Sequence, residues 1–317
     1  MMLRLVSPRA LRERGIIGMN ARNHRYIQRY NDRVNYPAVD NKLKTKFLAT
    51  KAGVPVPDLL GVVKHQYQVK DLPKILDPLE RFVIKPTRGC AGRGILVVVG
   101  RDEQGRFLKP SGAALTHKDV NRHVSNILAG LHSLGGVPDF AMIERIIDFT
   151  DAFEGYSYQG VPDVRVIVFG GYPILAMTRL STARSDGKAN LHQGAVGVGL
   201  SIRDGTALRA VQFNRPITAH PDTDKPFDQL RIPRWRDHLE IATRCYAFTH
   251  LGYFGADVVI DKHLGPLILE LNARPGLAIQ TANGIGLRKR LDVIEALDHD
   301  ELPPVKDRVD FAQERFA

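Results

Sequence analysis

Residues 255–276 read Gly255-Ala-Asp257-Val-Val-Ile-Asp261-Lys-His-Leu-Gly265-Pro-Leu-Ile-Leu-Glu270-Leu-Asn272-Ala-Arg274-Pro275-Gly276, and this stretch decides the fold. Two apolar runs around a Lys-His-Leu-Gly turn predict a β-hairpin from Tyr253 to Asn272. Successive strand side chains point to opposite sides, so Leu267, Leu269 and Leu271 share one face while Ile268, Glu270 and Asn272 share the other. The leucine face belongs to a core. Pairing Asp261 with Pro266 across a four-residue loop sets Asp257 directly opposite Glu270. Asp257, Glu270 and Asn272 then bring hard oxygen donors together, a set that suits Mg²⁺ held between protein and phosphates. The plain alternative is an exposed hairpin face with solvated acids.

Upstream, Lys85-Pro-Thr-Arg-Gly89-Cys-Ala-Gly92-Arg93-Gly94 joins two predicted strands, Phe82 to Lys85 and Ile95 to Val99. Walker loops and dinucleotide fingerprints lead into a helix, so this is neither. A glycine loop between strands can fold its N–H groups over phosphates while a strand lysine supplies charge. A flexible hairpin turn is the alternative. Between these stretches lies Asp163-Val-Arg165-Val-Ile-Val-Phe169, whose valines form an apolar face and leave Asp163 and Arg165 together on the other. Arg179 follows on a strand joined through Gly170-Gly171, and a loop carrying Arg184, Lys188, Asn190 and His192 comes next. The arginines suit phosphate or carboxylate in bidentate fashion, or else form an internal Asp–Arg pair. The positive charge gathered here points to an acidic substrate.

The remaining pattern gives an α+β organisation. A helix starts at Asp40 as cap, with Leu43, Phe47 and Leu48 on one face and Gly53 as its stop. Thr116 and Asp119 form a capping box ahead of a stripe of Val120, Val124, Ile127, Leu128 and Leu131. Phe140 to Ile146 reads as a strand, and a helix covers Trp235 to Leu251. Helices and strands come in runs, which excludes a doubly wound parallel sheet.

Bulk composition narrows the function classes. With 44% apolar and 25% charged residues among 317, the chain is too apolar for disorder, and no apolar run reaches membrane-spanning length. Cys90 and Cys245 make no disulfide framework or nucleophile constellation, and no G-x-S-x-G elbow or HExxH helix occurs. The net charge of +11 admits an anionic partner, but no run of five basic residues marks a nucleic-acid groove. The first 29 residues carry seven arginines, Arg4 and Arg22 among them, against Glu13. Without an apolar core or cleavage site they predict a basic segment of a cytoplasmic protein, with Met19 a second candidate start.

Taken in order, the motifs resemble the ATP-grasp superfamily, and most closely its alpha-L-glutamate ligase-like branch, relatives of ribosomal-protein glutamate ligases. The series runs Asp40-Asn-Lys42-Leu-Lys44, Val83-Ile-Lys85-Pro, Met142-Ile-Glu144-Arg, Asp163-Val-Arg165, Arg179, Asn190-Leu-His192-Gln-Gly194 and Glu270-Leu-Asn272-Ala-Arg-Pro-Gly. The resemblance implies an α+β ATP-grasp fold with ATP between two lobes: a short N-terminal segment at 1–39, lobes at 40–147 and 148–304, and a tail at 305–317. It implies that Lys42 and Lys85 meet phosphates under the loop of Gly89, Gly92, Arg93 and Gly94, and that Glu144, Arg145 and Ile146 meet adenine and ribose. Asp257, Glu270 and Asn272 would hold Mg²⁺, or Mn²⁺ in its place. Arg165, Arg179 and Asn190 would serve the transferred phosphate and the carboxylate receiving it.

Such enzymes convert a carboxylate to an acylphosphate that an amine attacks, so the implied partners are an amino acid, glutamate first, and an amine acceptor. The sequence departs from the family in having fewer than about forty residues before the first motif, where a full N-terminal domain is usual. That leaves an oligomer or a partner protein to complete the acceptor site. The competing readings are a catalytically weak nucleotide-binding partner and a basic binder of nucleic acid or anionic surfaces.

Overall fold

A computed structural model describes residues 6–89, 92–297 and 301–317. Arg4, Cys90 and the Cys90–Ala91 part of the glycine loop lie outside the described residues. The chain divides into two compact units, residues 41–46 with 56–148, and residues 1–40, 47–55 and 149–317.

The smaller unit holds seven strands: β1 Leu59–Val63, β2 Phe82–Pro86, β3 Leu96–Val98, β4 Gly100–Arg101, β5 Phe107–Leu108, β6 Ala114–Leu115 and β7 Ala141–Glu144. They form an antiparallel sheet β1-β7-β2-β3 and a small sheet β4-β5-β6. Phe82 pairs with Val98 and Ile84 with Leu96, as alternation around the glycine loop requires. The helix His117–Leu128 opens on the expected capping box: Asp119 N–H donates to Thr116 Oγ1 at 3.2 Å, and Thr116 N–H donates to Asp119 Oδ2 at 3.0 Å. Its Val120, Val124 and Ile127 pack with Phe82, Ile84, Leu96, Val98, Phe107 and Ile143 in one core. Burial of each such side chain contributes roughly 1.5–3 kcal/mol, enough to fix which helix face turns inward. Leu131 does not join the stripe. The helix ends before Gly130, whose φ of +81° lets the chain turn where a Cβ would sit 2.5 Å from Val137 O, and Leu131 is left 68% exposed.

The larger unit is built on one antiparallel sheet of seven strands: β8 Asp163–Phe169, β9 Tyr172–Leu180, β10 Val196–Leu200, β11 Ala207–Gln212, β12 Arg215–Ile217, β13 Tyr253–Asp261 and β14 Gly265–Asn272. Their order is β12-β11-β10-β9-β8-β13-β14. Gly170 and Gly171, both at positive φ, close the β8–β9 hairpin with Phe169 opposite Tyr172, the two-residue turn that matches strand twist. The helix Trp235–Thr249 packs on β8, β9, β13 and β14. Residues 305–317, read from sequence as a tail, contain the helix Val305–Arg315, which packs on β9 and on the helix Trp235–Thr249 and buries Val309 and Ala312. Among the described residues no helix is long and apolar enough to cross a membrane.

Two expectations change. The helix Lys42–Lys51 is capped by Asn41, whose Oδ1 accepts from Lys44 N–H at 3.1 Å, because Asp40 already ends a preceding turn Pro37–Asp40. Its buried residues are Thr45, Lys46 and Ala49, while Phe47 is 69% exposed. The β13–β14 turn is also one residue tighter than expected. Asp261 pairs with Gly265, since its Oδ1 accepts from both His263 N–H and Leu264 N–H at 2.9 Å. A bulge then adds one residue at Leu269, which is only half-buried, unlike Leu267 and Leu271. The two shifts cancel, and Asp257 does face Glu270.

The helix Trp235–Thr249 also carries an acid-labile group. His238 is fully buried; its Nδ1–H donates to Arg234 O at 3.0 Å, and its Nε2 has no hydrogen-bond partner among the described residues. Burial holds its pKa down at about 4, against an ordinary 6.5. The unfolded chain therefore binds a proton near pH 6.5 that the fold refuses until about pH 4, and stability falls as pH drops through that window. The full loss is roughly 3 kcal/mol. In urea titrations the midpoint of the parent protein is expected to decline from pH 6.5 to 4 and that of His238→Leu to decline much less; parallel declines would refute the assignment.

Candidate active site

In the larger unit, strand pairing gathers a cluster of polar side chains. Asp257 of β13 lies between Arg165 of β8 and Glu270 of β14, while Asp163 pairs across to Arg179 of β9. These positions share one sheet face, because residues paired directly across neighbouring strands lie on the same side and Asp163 and Arg165 are two residues apart. Arg165 grips Asp257 in bidentate fashion, Nε to Oδ1 and Nη2 to Oδ2, both at 2.7 Å. Arg179 grips Asp163 likewise at 2.6 Å, and its Nη2 reaches Asp257 Oδ2 at 2.8 Å. Asn272 Nδ2 donates to the same oxygen at 3.2 Å.

Asp163 and Asp257 are 5% and 3% exposed, so this is a buried network. Burial opposes the charge of Arg179, but Asp163 and Asp257 hold it protonated above its usual range. Burial pushes the Asp163 carboxyl up to about 6 even against Arg179. Burial works the same way on Asp257, yet the two guanidiniums hold its carboxyl below the usual value.

The arrangement partners the candidate residues as follows. Asp163 and Arg165 are neighbours on one face, but their ionic partners are crossed: Arg165 takes Asp257 and Arg179 takes Asp163. The positive charge read as demanding an acidic substrate is met internally, since two carboxylates balance Arg165 and Arg179. Of the loop cations, Lys188 pairs with Asp186 at 3.3 Å and Arg184 stacks 5.1 Å from the Phe213 ring centroid. Asn190 is not bonded to either arginine; its Oδ1 accepts His192 N–H at 3.0 Å and caps the turn Leu191–Gln193.

For a divalent cation the donor chemistry fits. Among the described residues no three His, Cys, Asp or Glu side chains gather as a metal group, so the amide oxygen of Asn272 has to complete the pair of acids. Asp257 Oδ2 is filled by three N–H donors, whereas Oδ1 accepts one and keeps a lone pair. Asp163 and Asp257 balance Arg165 and Arg179, and Glu270 stands opposite Asp257 on the neighbouring strand as a further carboxylate.

The smaller unit holds a second polar cluster of its own. Lys85, at the end of β2, forms an ion pair with Glu144 Oε2, and Lys46 Nζ lies 2.8 Å from Oε1. All three are buried, Lys46 and Lys85 at 8% exposure and Glu144 at 2%. The resemblance has Lys85 meeting phosphate; the structure gives it an acid partner as well, because β7 lies beside β2 and brings Glu144 to it. Lys46 is a group the sequence reading missed. The signal in the sequence is a lysine one turn after Lys42, which the predicted face of Leu43, Phe47 and Leu48 leaves out. Burial lowers the pKa of Lys46 despite Glu144, and Lys85 lowers it further.

Lys42 Nζ donates to Gly89 O at 2.8 Å, tying the helix to the glycine loop. Asp139, also missed, anchors that loop by accepting from Arg88 N–H at 2.8 Å and from Thr87 Oγ1. Gly92 and Gly94 are at positive φ, and a Cβ on Gly94 would come within 2.6 Å of His132 Cγ. Arg93 is exposed, Arg145 is exposed and pairs with Asp58 at 2.8 Å, and Ile146 is half-buried. Cys245 is buried, its Sγ–H donating to Ile241 O, and burial pushes its thiol well above the ordinary range.

A family model described as sugar-transfer associated ATP-grasp matches residues 21–296. No curated protein matches the sequence. Among solved structures the chain is similar to the ATP-grasp ligase PsnB complexed with a minimal precursor, at 16% identity over 84% of this chain, with a TM-score of 0.46. It is similar to D-cycloserine synthetase DcsG at 15% identity over 89% of this chain and 72% of the other, TM-score 0.41. For the VanG D-Ala:D-Ser ligase from Enterococcus faecalis the figures are 14%, 82% and 62%, TM-score 0.47. The chain spans about 62% of the length of PsnB.

Proposed function

The chain belongs to the sugar-transfer associated ATP-grasp family, and from that premise we propose that it is an ATP-dependent carboxylate–amine ligase. The observation that carries this reading is the buried Asp163–Arg179–Asp257–Arg165 network beside Glu270 and Asn272. It holds two guanidiniums in fixed positions next to oxygen donors, an arrangement suited to charge on a phosphoryl group in transfer. No side-chain nucleophile is needed, because the substrate carboxylate itself attacks the γ-phosphorus and ADP leaves. An amine then attacks the acyl carbon, loses a proton and expels inorganic phosphate, leaving an amide.

In this reading Lys42, Lys46 and Lys85 hold the nucleotide phosphates under Gly89, Gly92, Arg93 and Gly94, and Glu144, Arg145 and Ile146 line adenine and ribose. Asp257, Glu270 and Asn272 hold Mg²⁺, which when bound neutralises and orients phosphate oxygens. Arg165 and Arg179 face the transferred phosphoryl group, and Asn190 orients the accepting carboxylate. Glutamate is the acid the sequence resemblance suggests. The family's description associates it with sugar transfer, so uronic acids and amino sugars belong in the same test.

That test is ADP release across acids, glutamate and uronic acids included, each with and without amines and amino sugars, followed by mass spectrometry. With an ¹⁸O-labelled carboxylate, one label is expected in the released phosphate. ADP release indifferent to the acid, or phosphate without label, would overturn the reading.

A further inference from the structure

The catalytic face of the larger unit continues past Asp257. Along β13, Asp257, Gly255 and Tyr253 point to the same side. At that end the face is covered by the chain's own N-terminal segment. Tyr26 packs on Tyr253 and Phe169, with ring centroids 6.2 and 5.7 Å away. Asn31 accepts from Tyr253 N–H at 2.8 Å and donates to Tyr253 O and Ala273 O at 2.7 and 3.3 Å. Ile17 exchanges two backbone bonds with the Gln280 side chain, each 3.0 Å. The segment is thus strapped along residues 273–280, which directly follow Asn272.

Two cations stand on this strap and the loop beneath it. Arg22 opens a π-helical turn, Arg22–Ile27, in which Gln28 N–H returns to Asn23 O; such widened turns are frequent at functional positions. Its Nη1 donates to Pro275 O at 2.8 Å, and its Nε and Nη2 both go to Asn23 Oδ1. Arg274 lies 5.4 Å from the Tyr36 ring centroid. Among the described residues no carboxylate forms an ion pair with either arginine. Arg22 is half-buried; burial disfavours its charge, the Tyr253 phenol favours it, and Arg274 disfavours it to a lesser degree than burial. Close by, the Tyr253 hydroxyl is fully buried and has no hydrogen-bond partner among the described residues. A partly desolvated guanidinium bonded to the carbonyl next to a second arginine, with no carboxylate to meet it, is costly in a resting protein. An anionic ligand removes that cost, and the planar fork of arginine is built for one.

We propose that Arg22 and Arg274 form an anion subsite at the end of the catalytic face, which takes the carboxylate or phosphate group of the second substrate. The subsite rests on the ligase reading only for the identity of its ligand; anion binding itself requires no ATP. It also gives the N-terminal segment a role in the chemistry, as one wall of the substrate site.

The experiment uses the full chain without nucleotide or metal. Inorganic phosphate and, separately, acetate are titrated while the arginine Nε–H signals are followed by NMR. The expected result is a saturable shift of the Arg22 and Arg274 signals with one shared Kd. Reading the remaining arginine, Arg22→Gln and Arg274→Gln should each raise that Kd at least tenfold, Arg22→Lys should raise it less, and Lys85→Met should leave it unchanged. A response to phosphate alone assigns a phosphate ester, a response to acetate alone a carboxylate, and a response to both an anion of either kind. No saturable shift at either arginine, an unchanged Kd in Arg22→Gln, or equal loss in Lys85→Met would overturn the subsite. Arg274 is exposed, so its variant tests the subsite even where Arg22→Gln disturbs the strap. A chain that binds these anions yet releases no ADP in the acid and amine screen would sink the ligase reading and leave the subsite standing.

Discussion

Glu270→Ala is expected to abolish Mg-dependent ADP release while lowering the unfolding free energy by only about 1 kcal/mol. Asp257→Ala is expected to lose activity and, in addition, about 3–5 kcal/mol of stability. The contrast follows from burial. Glu270 is half-buried on β14, so its removal vacates a donor position and leaves the core closed. Asp257 is 3% exposed and takes hydrogen bonds from two guanidiniums and an amide; its loss strands Arg165 without its carboxylate and Arg179 with Asp163 alone. Turnover by steady-state ADP release and stability by urea titration, measured on the same preparations, decide it. Retained Mg-dependent turnover in Glu270→Ala would remove Glu270 from the metal set. An Asp257→Ala variant as stable as the parent would mean that the arginine network contributes nothing to the fold.

The second large effect belongs to the Lys46–Glu144–Lys85 triad. Two buried ammoniums share one carboxylate, which leaves a net positive charge awaiting phosphate. Lys85→Met keeps the apolar stem and leaves a neutral Lys46–Glu144 pair, so the fold should persist. ATP binding should weaken by about 1.5–3 kcal/mol, the worth of a charge-assisted contact, or about tenfold to 150-fold in Kd. Glu144→Ala should behave in the opposite way. It leaves Lys46 and Lys85 buried together without a counter-charge, and about 3–5 kcal/mol of stability should go with it. Calorimetric titration with ATP and denaturant unfolding separate the two. Unchanged ATP affinity in Lys85→Met would take that lysine out of the nucleotide site.

The sequence by itself determined whatever depends on residues near one another in the chain. Alternation along 163–169 and 253–272 specified antiparallel strands, Thr116 and Asp119 specified a helix start, and Gly170-Gly171 specified a two-residue hairpin. Each outcome is set by steric preference and hydrogen bonding within a few residues. The ordered motifs likewise named Asp257, Glu270, Asn272, Lys85 and the arginines as the polar groups of interest. Only the tertiary structure decided who partners whom. Asp257 meets an arginine 92 residues away, and Glu144 meets two lysines carried by a helix and a strand that no local pattern relates. Buried charges choose partners by what sheet packing brings within a few ångströms, because the low-dielectric interior heavily penalises any that go unmatched. For the same reason local rules missed Lys46, which is buried on the helix Lys42–Lys51 against the carboxylate of Glu144 while Phe47 stays exposed. Cross-strand geometry likewise produced the tight turn at Asp261 and the compensating bulge at Leu269, shifts that no single-strand pattern contains.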